Sequence, residues 1–192
     1  YKPVGIVSTR PGPVLAATDQ FEATFVGIGC HGAFPHVGRD PIVTAAEAVM
    51  SLQQFVSRKI DPTEPAVVTI GIFHAGTATN VIPDDATITG TARTLTPQAR
   101  EQVAAALKRR CEGVAMANEC RVNFEWIEGY PPTVNDEAMS AYVAETARAT
   151  IGQHAFYPAP RPAMGGEDFA YYLEKVPGCF FFIGVCPTDR TS

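Results

Sequence analysis

Apolar and polar residues alternate along the segment that begins at Thr18. Phe21, Ala23 and Phe25 fall on one side of an extended chain, and mostly polar residues fall between them. This period of two predicts a strand with one buried face. Segments rich in Val and Ile or in Thr predict further strands over residues 66–75 and 86–94, and alternation of Val122, Phe124 and Trp126 predicts a fourth over 120–128.

Two longer segments with an apolar residue every three or four positions lie between these strands. Each begins with a capping side chain followed by proline, at Asp40-Pro41 and at Thr96-Pro97, which is the pattern of a helix start. The predicted buried stripes contain Ile42, Ala45, Ala46, Val49, Leu52 and Val56 in the first helix, and Val103, Leu107, Cys111 and Val114 in the second.

The predicted elements follow the order β-α-β-β-α-β over residues 18–128. This order is typical of the ferredoxin-like fold, in which two helices cover one face of a four-stranded antiparallel sheet. We therefore predict an α+β protein with a ferredoxin-like domain at residues 18–128.

The two segments that flank this domain have a different character. Residues 1–17 are rich in Gly and Pro and are interpreted as a loop or linker. After a break at 129–133, the pattern predicts a helix capped by Asn135 and ended by Gly152, and then a short helix reaching about Lys175. A continuous apolar run predicts a strand over 179–185, covered on both faces. Residues 129–192 are thus predicted to be an incomplete part of an α/β domain.

Composition narrows the possible functions. Of the 192 residues 18% are charged and the net charge is −5, so the chain lacks the basic field that holds a nucleic acid. No apolar run approaches the ~20 residues that a membrane span requires. The 5 cysteines are odd in number and show no C-x-x-C spacing. That pattern disfavours a disulfide framework or a thiolate metal site and favours a reducing cytoplasm.

The sharpest chemical candidates are two histidines, His31 and His36, in the glycine-rich loop at 27–36. Glycines on both sides of His31 let the backbone turn tightly and present its imidazole outward. The alternative is an ordinary loop histidine bonded to a nearby carbonyl. A metal site made by the pair is disfavoured, because no H-E-x-x-H motif is present and the nearest acids are not spaced as ligands.

Three weaker candidates lie further along the chain. Asn80 is explained by turn chemistry or by donation to a substrate oxygen. Arg93, near the end of a predicted strand, is explained by a surface ion pair or by capture of a carboxylate. Gly165 and Gly166 place backbone N–H groups before a predicted helix, which is a ready anion site.

Motifs spread along almost the whole chain together resemble the M20 metallopeptidases, in particular their amidohydrolase branch of N-acyl-amino-acid and hippurate hydrolases. These motifs are GIGCHGAFPH (27–36) with DPI (40–42), LQ (52–53) with VSR (56–58), NVIP (80–83), GTART (90–94), YPPTVN (130–135) and MGGEDF (164–169).

The resemblance implies a two-metal catalytic domain into which a smaller ferredoxin-like lid, here residues 18–128, is inserted. It also implies dimerisation through that lid. His31 would be the catalytic lid histidine, which reaches an active site, often that of the partner subunit, and stabilises the tetrahedral intermediate. Asn80 and Arg93 would orient the substrate and its carboxylate, and Gly165 and Gly166 would border the substrate.

The same resemblance places the metal ligands before Tyr1 and after Ser192. We therefore expect this segment to bind no metal and to be inactive alone, while the parent protein carries two divalent ions such as Zn or Mn. The expected partners are a small N-acyl amino acid and a second copy of the chain, without nucleic acid or membrane. The alternative is a stand-alone ferredoxin-like module for dimerisation or small-molecule binding, without catalysis. The proline-rich α/β segment after residue 129 argues against that alternative, because an independent module would not need it.

Overall fold

The computed structural model describes residues 2–186, and the chain divides into two compact units. Thr18–Gly129 forms the central unit, and the two ends of the chain, up to Ala17 and from Tyr130 onward, form the terminal unit. The strands and helices are, in chain order, β1 (Val7–Ser8), β2 (Gly12–Leu15), β3 (Ala17–Val26), β4 (Cys30–His31), α1 (Pro41–Lys59), β5 (Ala66–Ala75), β6 (Val81–Ile82), β7 (Asp85–Thr94), α2 (Pro97–Ala117), β8 (Arg121–Ile127), β9 (Thr133–Asn135), α3 (Glu137–Ile151), α4 (Ala170–Leu173) and β10 (Phe182–Ile183).

The central unit is built on one four-stranded sheet with the order β5-β7-β3-β8. The outer pairs, β5 with β7 and β3 with β8, are antiparallel. Helices α1 and α2 pack on each other, and their buried residues form one core with the sheet. The predicted α+β class is confirmed, and the short strands β4 and β6 are additions that the sequence pattern did not predict.

The alternation along β3 has the predicted consequence for burial. Phe21, Ala23 and Phe25 are fully buried, whereas Glu22 is exposed. These side chains pack with the buried faces of both helices, so one face of the sheet carries the core. Burial of a side chain as large as Phe contributes about 1.5–3 kcal/mol to the free energy of folding.

Both helix starts form as predicted. The Asp40 carboxylate accepts hydrogen bonds from the backbone N–H groups of Ile42 and Val43, and the Thr96 hydroxyl accepts one from the N–H of Ala99. The predicted buried stripe of α2, Val103, Leu107, Cys111 and Val114, is also buried. Local capping chemistry therefore fixes where these two helices begin.

The buried face of α1 differs from the prediction. Ala45 and Leu52 are buried as predicted, but Thr44 and Phe55 are buried too, while Ile42 is 37% exposed. Thr44 enters the core without a polar penalty, because its hydroxyl donates to the carbonyl of Asp40 at 2.8 Å. Thr44 can therefore be buried like an apolar residue, because its hydroxyl is satisfied within its own helix.

The first residues of the chain are not the predicted loop. Strand β1 pairs antiparallel with β10, and β2 pairs antiparallel with β9. Both partners come from beyond residue 130, so the strand pairing depends on contacts distant in sequence rather than on a local pattern. Gly12, with φ of +74°, supplies the left-handed backbone at the start of β2.

The cap of α3 is Asp136, not Asn135 as predicted. The Asp136 carboxylate accepts from the N–H of Met139 at 2.9 Å. Asn135 is buried instead, where its amide donates to the Thr9 hydroxyl at 2.8 Å and accepts from the N–H of Phe180 at 2.7 Å. Its side chain joins three segments of the terminal unit, which no local pattern could show.

The predicted two-faced strand over 179–185 is also wrong. Only Phe182–Ile183 is a strand, and Ile183 and Val185 are 62% and 79% exposed. The apolar run predicted burial on both faces, but β10 belongs to a sheet of only two strands, β1 and β10. The predicted segment 129–192 is described as far as residue 186. None of the helices in residues 2–186 has the length and apolar character needed to span a bilayer.

Candidate functional site at the His31 tip

His31 lies in β4, which pairs antiparallel with β6 so that His31 stands opposite Val81. The N–H of Gly32 donates to the carbonyl of Asn80 at 2.8 Å. Two of the candidate residues, His31 and Asn80, are therefore brought side by side from distant parts of the sequence. We call this region, residues 27–38 and 80–84, the His31 tip.

The imidazole of His31 has a fixed orientation. The backbone N–H of Ala33 donates to its Nδ1 at 3.0 Å, and the N–H of Phe34 donates to the His31 carbonyl at 2.8 Å. Because Nδ1 accepts a hydrogen bond, the proton of the neutral ring is assigned to Nε2. The side chain is exposed, so the tip presents one outward N–H donor.

Glycine at position 29 is required by the close approach of the two segments. A Cβ there would lie 2.9 Å from both the Asp84 Oδ1 and the Ile82 carbonyl oxygen. Without that side chain, the N–H of Gly29 donates to the Asp84 carboxylate at 2.9 Å. Asp84, which the sequence reasoning did not single out, thus joins the two segments of the tip through this hydrogen bond.

Most side chains of the tip are apolar, and its polar exceptions are His31, His36, Asn80 and Asp84. Four large hydrophobic side chains, Ile28, Phe34, Val37 and Val81, are 45–63% exposed. No charged residue occurs in 27–38 or in 66–83. Solvent exposure of this many apolar groups around a polar donor is typical of a contact surface.

Asn80 and Arg93 have side chains available for a ligand. Within the described residues, neither side chain makes a hydrogen bond or an ion pair. Arg93 stands opposite Val67 and is half-buried, on the sheet face that points away from the core, since its neighbours Ala92 and Thr94 are buried.

Arg93 and His31 lie at opposite ends of the central sheet. The tip joins β7 at Asp85, and Arg93 comes eight residues later on the same strand. At roughly 3.3 Å per residue, this places the two ends about 26 Å apart. One chain therefore does not bring His31 and Arg93 to the same small molecule.

Gly165 and Gly166 belong to the terminal unit and are exposed. The Gly165 carbonyl accepts from the N–H of Ala16 at 2.8 Å. A short helix follows the glycines as predicted, but α4 begins only at Ala170 and has four residues. The glycines therefore do not form its first turn and lie instead beside the end of β2.

The described residues hold no cluster of three or more His, Cys, Asp or Glu that could bind a metal ion. At the tip, the Phe34 ring is close to both histidine rings, with centroids 5.8 Å from His31 and 6.5 Å from His36. The two histidines and the Phe34 ring between them do not form a metal site. His31 can therefore act through its N–H group as a hydrogen-bond donor.

Sequence reasoning missed a buried ion pair at the other end of the central unit. The Arg100 guanidinium donates to both carboxylate oxygens of Asp19 and to the carbonyl of Gly129. Asp19 also accepts from the N–H of Gly129 at 3.1 Å, and its side chain is 1% exposed. These three residues tie the first and last strands of the central unit where the chain enters and leaves it.

Residues 18–129 match the family described as the peptidase dimerisation domain of M20 enzymes. The chain belongs to the M20 family of peptidases and amidohydrolases, and the resemblance stated from its motifs is confirmed.

Among its relatives is an N-acetyldiaminopimelate deacetylase of Enterococcus faecalis, 44% identical over 95% of this chain and 48% of that protein. An N-acetyl-L-cysteine deacetylase of Bacillus subtilis is 40% identical over 94% of this chain and 43% of that protein. The solved structure of the Bacillus subtilis YXEP protein, a dinuclear metal binding peptidase of the M20 family, has a TM-score of 0.77 and 34% identity. The structural match covers 95% of this chain and 45% of the YXEP chain. The chain thus spans about half the length of the curated relatives it matches.

Proposed function

We propose that the protein to which this chain belongs hydrolyses the amide bond of N-acyl amino acids and that His31 is its catalytic contribution from the central unit. The observation that carries the proposal is the hydrogen bond from Ala33 to the Nδ1 of His31. It leaves an exposed Nε2–H on a fixed ring. The deacetylase relatives support the same reaction class.

An amide carbonyl oxygen gains negative charge when hydroxide adds to its carbon. A preorganised N–H donor at that oxygen stabilises the transition state more than the ground state. The Nε2–H of His31 supplies such a donor, and the neighbouring Asn80 amide orients the substrate beside it. The glycines Gly165 and Gly166 line the substrate from the catalytic part of the protein.

We propose two divalent metal ions in the whole protein, by analogy with the dinuclear relative. Their ligands would come from outside these residues, so this chain alone would lack hydrolytic activity. We also propose that these ions are Zn or Mn and that the protein is located in the cytoplasm. Residues 18–128 of the central unit would act as the lid and dimerisation domain.

A homodimer through the central unit is supported by the difference between the two edges of its sheet. The edge strand β8 carries Arg121 and Glu125. The opposite edge, β5, carries no charged residue, and its Ile72 and Phe73 are 47% and 43% exposed. Charges protect an edge from pairing, whereas an apolar edge favours it. We propose that a second copy of the chain covers β5. His74 is exposed on the same strand, so a second copy that covers β5 would cover it too.

The dimer also explains how His31 and Arg93 serve one substrate. The ~26 Å between the two ends of β7 exceeds the reach of both side chains together. A two-fold axis brings different ends of two chains together. We propose that His31 and Asn80 of one copy act with Arg93 of the other, which binds the substrate carboxylate.

The proposal is tested by His31→Ala in the full gene product. Loss of one oxyanion donor lowers kcat by about 10²–10³, and we expect little change in KM or in metal content. His36→Ala, which removes an exposed histidine from the same loop, serves as the matched control. A His31→Ala enzyme with wild-type turnover would remove His31 from the mechanism. A gene product that hydrolyses no N-acyl amino acid would favour the non-catalytic dimerisation module.

A further inference from the structure

The side chain of Phe34 is exposed to solvent, whereas its backbone is fixed by hydrogen bonds. It is 56% exposed, although its N–H donates to the His31 carbonyl at 2.8 Å and its carbonyl accepts from the Cys30 thiol at 3.6 Å. Pro35 follows at the start of a 3-10 turn. The backbone of Phe34 therefore has a defined position at the tip, and the side chain starts from that position without being buried in a core.

That position is next to the imidazole. The centroids of the Phe34 and His31 rings are 5.8 Å apart, and the rings are tilted by 53°. A group attached to a carbonyl whose oxygen binds the Nε2 of His31 lies within reach of the Phe34 ring. The other exposed apolar side chains of the tip, Ile28, Val37 and Val81, extend this surface.

The charges around the tip indicate which part of a substrate belongs there. The one charged side chain of the His31 tip is Asp84, a carboxylate that accepts from the N–H of Gly29. The nearest cation along the chain, Arg39, makes an ion pair with Glu119 at 3.1 Å. The tip of one chain thus offers no cation to the amino-acid carboxylate, which the proposed dimer leaves to Arg93 of the second copy. An uncharged acyl group would meet apolar carbon at the tip.

We propose that Phe34 is a specificity-determining residue that contacts the acyl group of the substrate and favours acyl groups larger than acetyl. This inference rests on the proposed hydrolysis of N-acyl amino acids and names the substrate class within it. Apolar contact of this kind discriminates between substrates by burying more surface with the larger group.

The test compares N-acetylglycine with N-benzoylglycine in the full gene product. In Phe34→Ala we expect kcat/KM for the benzoyl substrate to fall about tenfold relative to the acetyl substrate. Phe34→Leu, which keeps an apolar side chain on the turn, should give an intermediate ratio. Met50→Ala is the control, because Met50 is 66% exposed on α1 and lies about 15 Å along that helix from its cap, Asp40.

The outcomes separate this inference from the proposed function. A fall in the benzoyl-to-acetyl ratio in Phe34→Ala, with the ratio unchanged in Met50→Ala, supports the contact. An equal fall for both substrates overturns it, because Phe34 would then only support the His31 turn. A wild-type protein that hydrolyses neither substrate overturns the proposed function itself.

Discussion

The two ends of the central sheet hold their residues in opposite ways. At one end, the His31 tip presents a fixed imidazole and several apolar side chains to solvent. At the other end, Asp19, Arg100 and Gly129 form a buried charged network where the chain enters and leaves the central unit. One end uses backbone hydrogen bonds to position an exposed group, and the other uses buried charges to fasten strands. The His31 end can stay exposed because the buried network at the other end stabilises the strands of the sheet.

The largest expected effect is on stability, at the buried end. Arg100→Met leaves the Asp19 carboxylate buried without its cation, and breaking a buried pair in this way costs about 3–5 kcal/mol. Urea unfolding of the 192-residue chain would measure this loss. Replacing both residues together, as Asp19→Leu with Arg100→Met, should recover most of it, because no charge is left unpaired.

Arg39→Met provides the matched control near the His31 tip. The pair of Arg39 with Glu119 is exposed, with side chains 41% and 76% accessible, so its loss should cost less than about 1 kcal/mol. Equal destabilisation by Arg100→Met and Arg39→Met would contradict the contrast between the two ends.

The second prediction joins the two ends across a dimer. His31→Ala and Arg93→Ala should each lower turnover strongly as separate homodimers. In an equal mixture, refolded or co-expressed so that subunits exchange, half of the dimers are mixed. Each mixed dimer regains one site, which gives about a quarter of wild-type activity for a two-fold dimer.

Activity of the mixture that stays at the mean of the two variants would show that His31 and Arg93 do not act across subunits. Sedimentation of the mixture confirms that dimers are present in either case. A mixture of His31→Ala with Asn80→Ala is the control, because both residues lie at the same end and no intact site forms.

The effect that is smallest at neutral pH concerns the core between the two ends. Burial raises the pKa of the Cys111 thiol from 9.0 to about 12. The unfolded chain therefore loses this proton at lower pH than the folded chain. The thiol leaves stability unchanged below pH 9, and stability is lost as the pH rises from there toward 12.

We expect the free energy of unfolding to fall less steeply between pH 9 and 12 in Cys111→Ala than in the wild type. The slope is compared rather than the absolute stability, because removing a buried side chain has a cost of its own. Urea unfolding at several pH values gives both slopes. Parallel slopes would show that Cys111 titrates alike in the folded and unfolded chains.

The candidate site was predictable in its residues but not in its geometry. Glycines around His31 indicated a tightly turned, functional loop, and the neighbouring motifs indicated the family. The pairing of β4 with β6, the contact between Gly29 and Asp84, and the apolar surface around Phe34 depend on two segments about fifty residues apart. The sequence pattern contains no local signal for such pairing.

The sequence by itself determined what depends on near neighbours. Alternation along β3, the caps at Asp40 and Thr96, and the stripe of α2 follow from backbone geometry and from side chains within one turn. The tertiary structure decided what depends on distant partners. It paired the first residues with strands from beyond residue 130, buried Asn135 as a link between three segments, and placed His31 and Arg93 at opposite ends of the central sheet. Hydrogen bonds between remote segments have no period along the chain, so only the folded molecule reveals them.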